Sequence, residues 1–381
     1  MTSADTHPVG TSTGTYWPAL DGLRAIAVVG VVLYHAGATS ELAGVAPGGF
    51  LGVSVFFTLS GFLVTGLLLR RLDAPGPLGL GTFWSRRLKR LAPASLVVVA
   101  LTVVLAPWYW EGMQASDALA GTFGYTNWHV IWSGQDALLR TIVGPLGPFW
   151  SLAVEEQFYL LMTAAVFTAS RTTRPVRTLV AIIAAGWILS AGLQLFVDWP
   201  QYRMEFGTDL RAAELLAGSG LALLLHGRPG LLADLGTRLQ PVGVGALAVV
   251  VALAATTDYD PPWLLHGGYA ALSLVNAALV LSLLTPGGFT RTLGWGPLVV
   301  IGRLSYSWYL VHWPVILILD RLDLDRWPLL AVKVGVSLVV AVALHDLVEQ
   351  PLRRREPPRR QVVASWAVAS ALVGLASLAL L

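Results

Sequence analysis

FLGVSVFFTLSGFLVTGLLL, residues 50–69, runs for twenty positions without a charged side chain and is followed at once by Arg70 and Arg71. A hydrocarbon core about 30 Å thick needs about 20 helical residues to cross it, so this stretch reads as a membrane span. Ten further apolar stretches of similar size lie near 20–39, 93–108, 149–169, 178–197, 209–226, 241–256, 266–284, 299–319, 328–347 and 362–381. They predict an all-α fold, a polytopic integral membrane helical bundle of ten core helices plus one C-terminal helix. Composition agrees. The chain is 55% hydrophobic and 12% charged, with a mean hydropathy of +0.67, whereas soluble domains carry about 25% charged residues. With no cysteine, a disulfide framework, a thiolate metal site and a cysteine nucleophile are excluded. The net charge of +3 and pI near 9.3 reflect basic loops between apolar runs rather than nucleic-acid binding.

Those loops orient the chain. The stretch 117–132 is long enough to cross but is broken by Gly, Asn and His. If it does not cross, the loops at 70–92, 170–177, 227–240, 285–298 and 348–361 hold seventeen Lys and Arg, and the opposite loops hold four: Arg140, Arg203, Arg321 and Arg326. Letting it cross would place the 353–360 cluster opposite Arg86 to Arg90, against the positive-inside bias. Residues 109–148 are therefore expected to form an outer segment, re-entrant or interfacial, anchored by Trp108, Trp110, Trp128 and Trp132. The N-terminus is then cytoplasmic. Residues 1–16 are polar and lack the basic n-region and cleavage site of a signal peptide, which predicts a disordered cytoplasmic tail.

Ionisable groups inside membrane helices are costly and are functional candidates by default. The first helix carries Arg24 and His35, eleven residues apart on one face and about 16 Å apart in depth. An imidazole suits proton abstraction from a hydroxyl near neutral pH; the bland alternative is an interhelical hydrogen bond. Arg86, Arg87, Lys89 and Arg90 crowd the segment before the third span. Such a cluster can bind phosphates, mark topology or contact anionic lipid. In the fourth span, GPFWSLAVEEQFYLL, Glu155 shares a face with Ser151 and Tyr159, while Glu156 aligns with Leu152 and Leu160. Glu155 is the carboxylate expected to face a cavity. Asp209, Arg211 and Glu214 open the sixth span as acceptor ligands or as caps and anchors. Ser305, Tyr309 and His312 share a face of the ninth, beside Tyr306, with His312 expected to position rather than react. Lys333 is expected to snorkel, and VEQPLRRR at 348–355 to stop its helix at the cytoplasmic face.

DGLRA with YHAG, GVSVFFTLSGFL, RRLKRLAP, FWSLAVEEQFYLL, TDLRAAELLAG, SYSWYLVHWP and VEQPLRR, in that order, resemble the membrane acyltransferase-3 family over about residues 17–355. The resemblance implies a transmembrane O-acyltransferase of the bacterial inner membrane. It would move an acyl group, often acetyl, from acetyl-CoA or another acyl-CoA to a glycan, lipid or glycosylated small-molecule acceptor, without a metal. It further implies a catalytic His35, an Arg pair at Arg87 and Arg90, and counterparts of Glu155, Asp21 and Arg24. Taken with the residue pattern, Glu155 is expected to act with His35, Arg24 and Arg86 to join the donor-binding pair, and Asp21, Asp209, Arg211, Ser305, Tyr306 and His312 to bind substrate. Residues 17–355 would form the acyltransferase domain, and 356–381 a basic linker and terminal span. Some members carry an outer esterase-like domain after an eleventh helix, which makes such a domain or protein an expected partner. The helical rise predicts a polar tunnel from the Arg cluster past Arg24 to His35, opening outward beside Glu155. A transporter or flippase for lipids or sugars is the rival reading; the Arg cluster aligned with a His-bearing helix favours thioester chemistry.

Overall fold

The computed structural model describes residues 16–141, 144–259, 261–355 and 357–381, with the side chains of 134–141 excepted. The expected N-terminal tail, except Tyr16, and the side chain of Arg140 lie outside the described residues. The helices follow in chain order as α1 (Pro18–Ala38), α2 (Gly52–Asp73), α3 (Leu80–Tyr109), α4 (Ala115–Phe123), α5 (Thr126–Thr141), α6 (Phe149–Ser170), α7 (Pro175–Phe196), α8 (Gln201–Phe206), α9 (Thr208–Gly227), α10 (Leu231–Leu235), α11 (Leu239–Thr256), α12 (Tyr269–Leu283), α13 (Gly288–Leu293), α14 (Gly296–Leu319), α15 (Arg326–Leu344), α16 (Gln350–Arg354) and α17 (Arg359–Leu380). Prolines at the first turns of α1, α7 and α14 start helices where the missing N–H costs nothing. A π-helical turn, His345–Glu349, joins α15 to α16.

Eight helical spans among the described residues are long and apolar enough to cross a membrane. The other three of that length are α6, α9 and α14, at 22, 20 and 24 residues. Their hydropathy is lowered by the residues that the cost of buried charge singles out: Glu155 and Glu156 on α6, Asp209, Arg211 and Glu214 on α9, and Arg303, the serines, the tyrosines and His312 on α14. Arg211, Glu214, Ser305 and His312 are buried, whereas Glu156 and Arg303 are exposed. α9 packs among α2, α7 and α12, and α14 lies between α1 and α15. With these three, eleven helices of crossing length stand where eleven apolar stretches predict them, and the chain is an all-α, multi-pass membrane protein. The ambiguous 117–132 stretch folds as part of the pair α4 and α5. At nine residues, about 14 Å of rise, α4 is too short to cross.

α2 packs tightly against α9 along its length. A Cβ on Gly61 would strike the Leu215 carbonyl, and one on Gly218 the Thr58 carbonyl, so two missing side chains let the backbones meet. Across that seam Thr65 donates to Ser219 at 2.9 Å. The terminal helix α17 packs along α3 and α4.

Lys333 does not snorkel. It is fully buried and donates to Asp320 at 2.7 Å, the Thr39 hydroxyl at 2.9 Å, Ser40 at 3.0 Å and the Thr39 carbonyl at 3.1 Å. A cation with four acceptors has no need to reach the interface. It ties the last turn of α1, just beyond His35, to the far ends of α14 and α15.

Candidate active site

α3 carries the Arg cluster in its first turns, so helical phase sorts it. Arg87 and Arg90, one turn apart, line a cavity of about 460 Å³; Arg86, about 100° away round the helix, is exposed and stays out of it. The guanidinium of Arg87 lies 4.6 Å from the centre of the Tyr159 ring, and the Tyr159 hydroxyl donates to Glu155 at 2.6 Å. Arg90 has its Nε buried with no hydrogen-bond partner among the described residues, an uncommon state for a guanidinium. Further along, Arg24 donates to Ser305 Oγ through Nε and Nη2, at 3.1 and 2.9 Å. Tyr306, also in the wall, donates to the Leu91 carbonyl at 2.7 Å. Arg24, Arg87, Arg90, Glu155, Ser305 and Tyr306 thus share one cavity.

Glu156 lines it too, although helical phase set it aside. The turn between α4 and α5 explains this. Gly124 there has φ 68°, and a Cβ on it would strike the Glu156 carboxylate, so the missing side chain makes room for the second Glu. Trp366 of α17 completes the wall; its isolated place in an apolar terminal span gave no signal in sequence.

His35 lies beyond this cavity. Tyr309 forms the cavity's end, its hydroxyl 2.6 Å from Ser151 Oγ and donating to the Pro148 carbonyl at 3.1 Å. Behind it the Tyr309 and His312 rings are 5.5 Å apart, and the His312 and His35 rings 5.0 Å. The expected continuous tunnel is not open: Tyr309, in contact with Ser151, and behind it the buried His312 stand between the cavity and His35. Arg24 and His35 share a face of α1, as expected, but at different depths they meet different neighbours.

Two carbonyl contacts assign the protons of the histidine pair. His312 is fully buried, with Nδ1 2.7 Å from the Tyr309 carbonyl; it is the donor there, which leaves Nε2 an acceptor. His35 Nδ1 sits 2.9 Å from the Val31 carbonyl and 3.2 Å from His312 Nε2. It therefore carries the proton and shares it between both. The remaining nitrogen, Nε2 of the half-buried His35, holds a lone pair with no hydrogen-bond partner among the described residues. That is the tautomer a general base or nucleophile needs.

The other expected site residues lie outside the cavity and make contacts within the fold. Asp21 accepts from Tyr16 at 2.7 Å and sits 3.8 Å from Arg303, tying the basic-face end of α1 to α14. Asp209 is held bidentately by Arg203, at 2.8 and 2.7 Å. Arg211 is buried against Glu214 at 2.6 Å and under the Tyr269 ring at 3.8 Å. Stranding one member of such a pair costs about 3–5 kcal/mol. None of the three lines the cavity. The VEQP segment, conversely, does more than stop a helix. Glu349 is buried and accepts from Ser307 at 2.9 Å and from His345 at 3.0 Å.

Residues 17–346 match the acyltransferase domain of the acyltransferase-3 family. The chain belongs to that family. It is similar to the protein named O-acetyltransferase OatA of Staphylococcus aureus (strain NCTC 8325 / PS 47), 32% identical over 354 residues, 89% of this chain and 58% of the relative. A protein of Staphylococcus aureus (strain MSSA476) named as a putative O-acetyltransferase gives the same identity and coverage. This acyltransferase-3 chain thus spans about 58% of the length of the curated relatives it matches. No solved structure matches it. Among the described residues no cluster of His, Asp and Glu suits a metal ion. Within the family match, the cavity and the histidine pair are both built from residues 17–346, while Trp366 of the cavity wall falls outside it.

Proposed function

We propose that this chain is a transmembrane O-acyltransferase of the bacterial inner membrane that carries an acyl group, acetyl first among candidates, from a cytoplasmic acyl-CoA to a hydroxyl on the outer side. The observation that carries this reading is the placement of His35 beyond the end of a cavity lined by cations, with its Nδ1 held by the Val31 carbonyl and His312 and its Nε2 left without a hydrogen-bond partner among the described residues. CoA phosphates would pair with Arg87 and Arg90 on the basic face, where the orphaned Nε of Arg90 offers a donor in need of an anion. The pantetheine arm would run past Arg24 and Ser305. Movement of Tyr309 away from Ser151 and past His312 would admit the thioester to His35.

In the transfer itself the acceptor oxygen attacks the thioester carbonyl carbon while His35 Nε2 takes the hydroxyl proton. The C–S bond breaks, and the imidazolium returns that proton to the leaving CoA thiolate. Positive charge on His35 is shared through Nδ1–H with the Val31 carbonyl and the lone pair of His312, so His312 positions His35 and stays neutral. A transient acyl group on Nε2 would use the same geometry. Arg87, Tyr159 and Glu155 form a connected charged wall that orders the donor.

The absence of cysteine from the chain gives a clean assay. Purified protein in nanodiscs, with acetyl-CoA and a thiol-reactive dye, is expected to release CoA thiol in proportion to added methyl glucoside. Acetyl-CoA that stays intact with every hydroxyl acceptor supplied would overturn the reading.

A further inference from the structure

At the non-basic end of the bundle His35 is the inner edge of an aromatic cluster. Tyr34 lies 5.0 Å from the His35 ring, 5.4 Å from Phe50 and 6.4 Å from Tyr259, the last nearly parallel at 27°. Phe50 meets Tyr259 edge-on at 5.6 Å, and Trp313 closes the other side of His35 at 4.9 Å. The rings come from α1, the turn before α2, the α11–α12 loop and α14, so the fold assembles them from four distant segments.

Tyr259 is 46% exposed yet fixed. Its hydroxyl donates to the buried Glu205, whose own backbone carbonyl accepts from Arg211 at 3.0 Å. Arg211 is held in turn by Glu214 and Tyr269. The TDLRAAELLAG segment, which contributes nothing to the cavity, thereby acts as the support of this ring. Membrane-interface anchors look different: Trp108 and Trp327, exposed at the same end, have no ring neighbours among the described residues. A ring held by a buried carboxylate, left exposed and linked through Tyr34 to the ring of His35 is a preorganised contact surface.

We propose that Tyr34, Phe50 and Tyr259 form the acceptor subsite, a platform on which a pyranose ring of the acceptor stacks so that one of its hydroxyls meets Nε2 of His35. The C–H faces of a pyranose are apolar and its edges polar, which suits a cluster whose outermost ring, Tyr259, is exposed and has its hydroxyl hydrogen-bonded to Glu205. The subsite rests on the O-acyl transfer reading for its role but not for its existence. It selects for ring-shaped polyols over open-chain ones with as many hydroxyls.

The test uses methyl glucoside and sorbitol with the full chain in nanodiscs. Saturation-transfer NMR without donor is expected to light the ring C–H protons of methyl glucoside, and the signal is expected to vanish in Tyr259→Ala and to remain, weakened, in Tyr259→Phe, which keeps the ring but loses the hydrogen bond to Glu205. In turnover, Tyr259→Ala should raise KM for methyl glucoside about tenfold, close its advantage over sorbitol and leave CoA affinity unchanged. If the NMR pattern appears but no acyl transfer occurs, the subsite stands and the transfer reading falls. If wild type gives no ring C–H signal, or if Tyr259→Ala keeps both that signal and KM, the subsite is overturned.

Discussion

His35→Ala is expected to lower acyl transfer by about 10²–10⁴-fold, the range of a positioned general base, without loss of folded protein or of CoA affinity. The reasoning is geometric. His35 does not line the cavity that holds Arg87 and Arg90, so its removal leaves that cavity's walls in place. It contributes Nε2, the lone-pair nitrogen left by the hydrogen bonds of Nδ1 to Val31 and His312. His312→Ala is expected to do less harm, because the Val31 carbonyl still fixes the His35 tautomer. Stopped-flow CoA release and size-exclusion profiles of the two variants decide the matter. Near-wild-type turnover in well-folded His35→Ala, with turnover lost in His312→Ala, would exchange their roles.

The second large effect belongs to the donor. Replacing Arg87 and Arg90 together with alanine should raise the dissociation constant for CoA by about 10²-fold or more at low salt, since hydrogen bonds to charged groups contribute about 1.5–3 kcal/mol each. The residual binding should also depend less on salt, because exposed phosphate contacts are screened within a Debye length of about 10 Å at 0.1 M. Arg86→Ala, on the exposed side of α3, should change affinity little. Calorimetric titration of CoA against the wild type and both variants checks the pattern. Equal losses from Arg86→Ala and from the double variant would point to a diffuse basic surface instead of a built site.

Much of this was legible in the sequence, for stated physical reasons. A bilayer demands apolar runs of fixed length, so each of the eleven spans left a mark. The cost of burying charge made Arg24, Glu155, Arg211 and His312 conspicuous before any contact was known. Helical phase also paired Arg87 with Arg90, and Glu155 with Tyr159. Phase fails where a neighbour from another helix intervenes. Arg24 and His35 share a face, but Tyr309 of α14 stands between their depths. Glu156 reaches the cavity only because Gly124, far off in sequence, has no Cβ. Lys333 stays buried because Asp320 and the last turn of α1 happen to converge on it, which no local pattern announces. Glu349 was missed for a simpler cause: close to a run of arginines, it read as part of a helix stop, although the cost rule applied to Glu155 applies to it equally. The aromatic platform could not be read at all, since Tyr34, Phe50 and Tyr259 meet only in the fold.

The central claim is transfer across the membrane, from a donor on the basic face to an acceptor on the other. Proteoliposomes holding the protein in one orientation test it most directly, with acetyl-CoA confined to the basic-face side and methyl glucoside to the opposite side. The account predicts acetylated methyl glucoside on the acceptor side in this arrangement and none when the two compartments are exchanged. Acetylation that occurs only when both substrates share one compartment would contradict it.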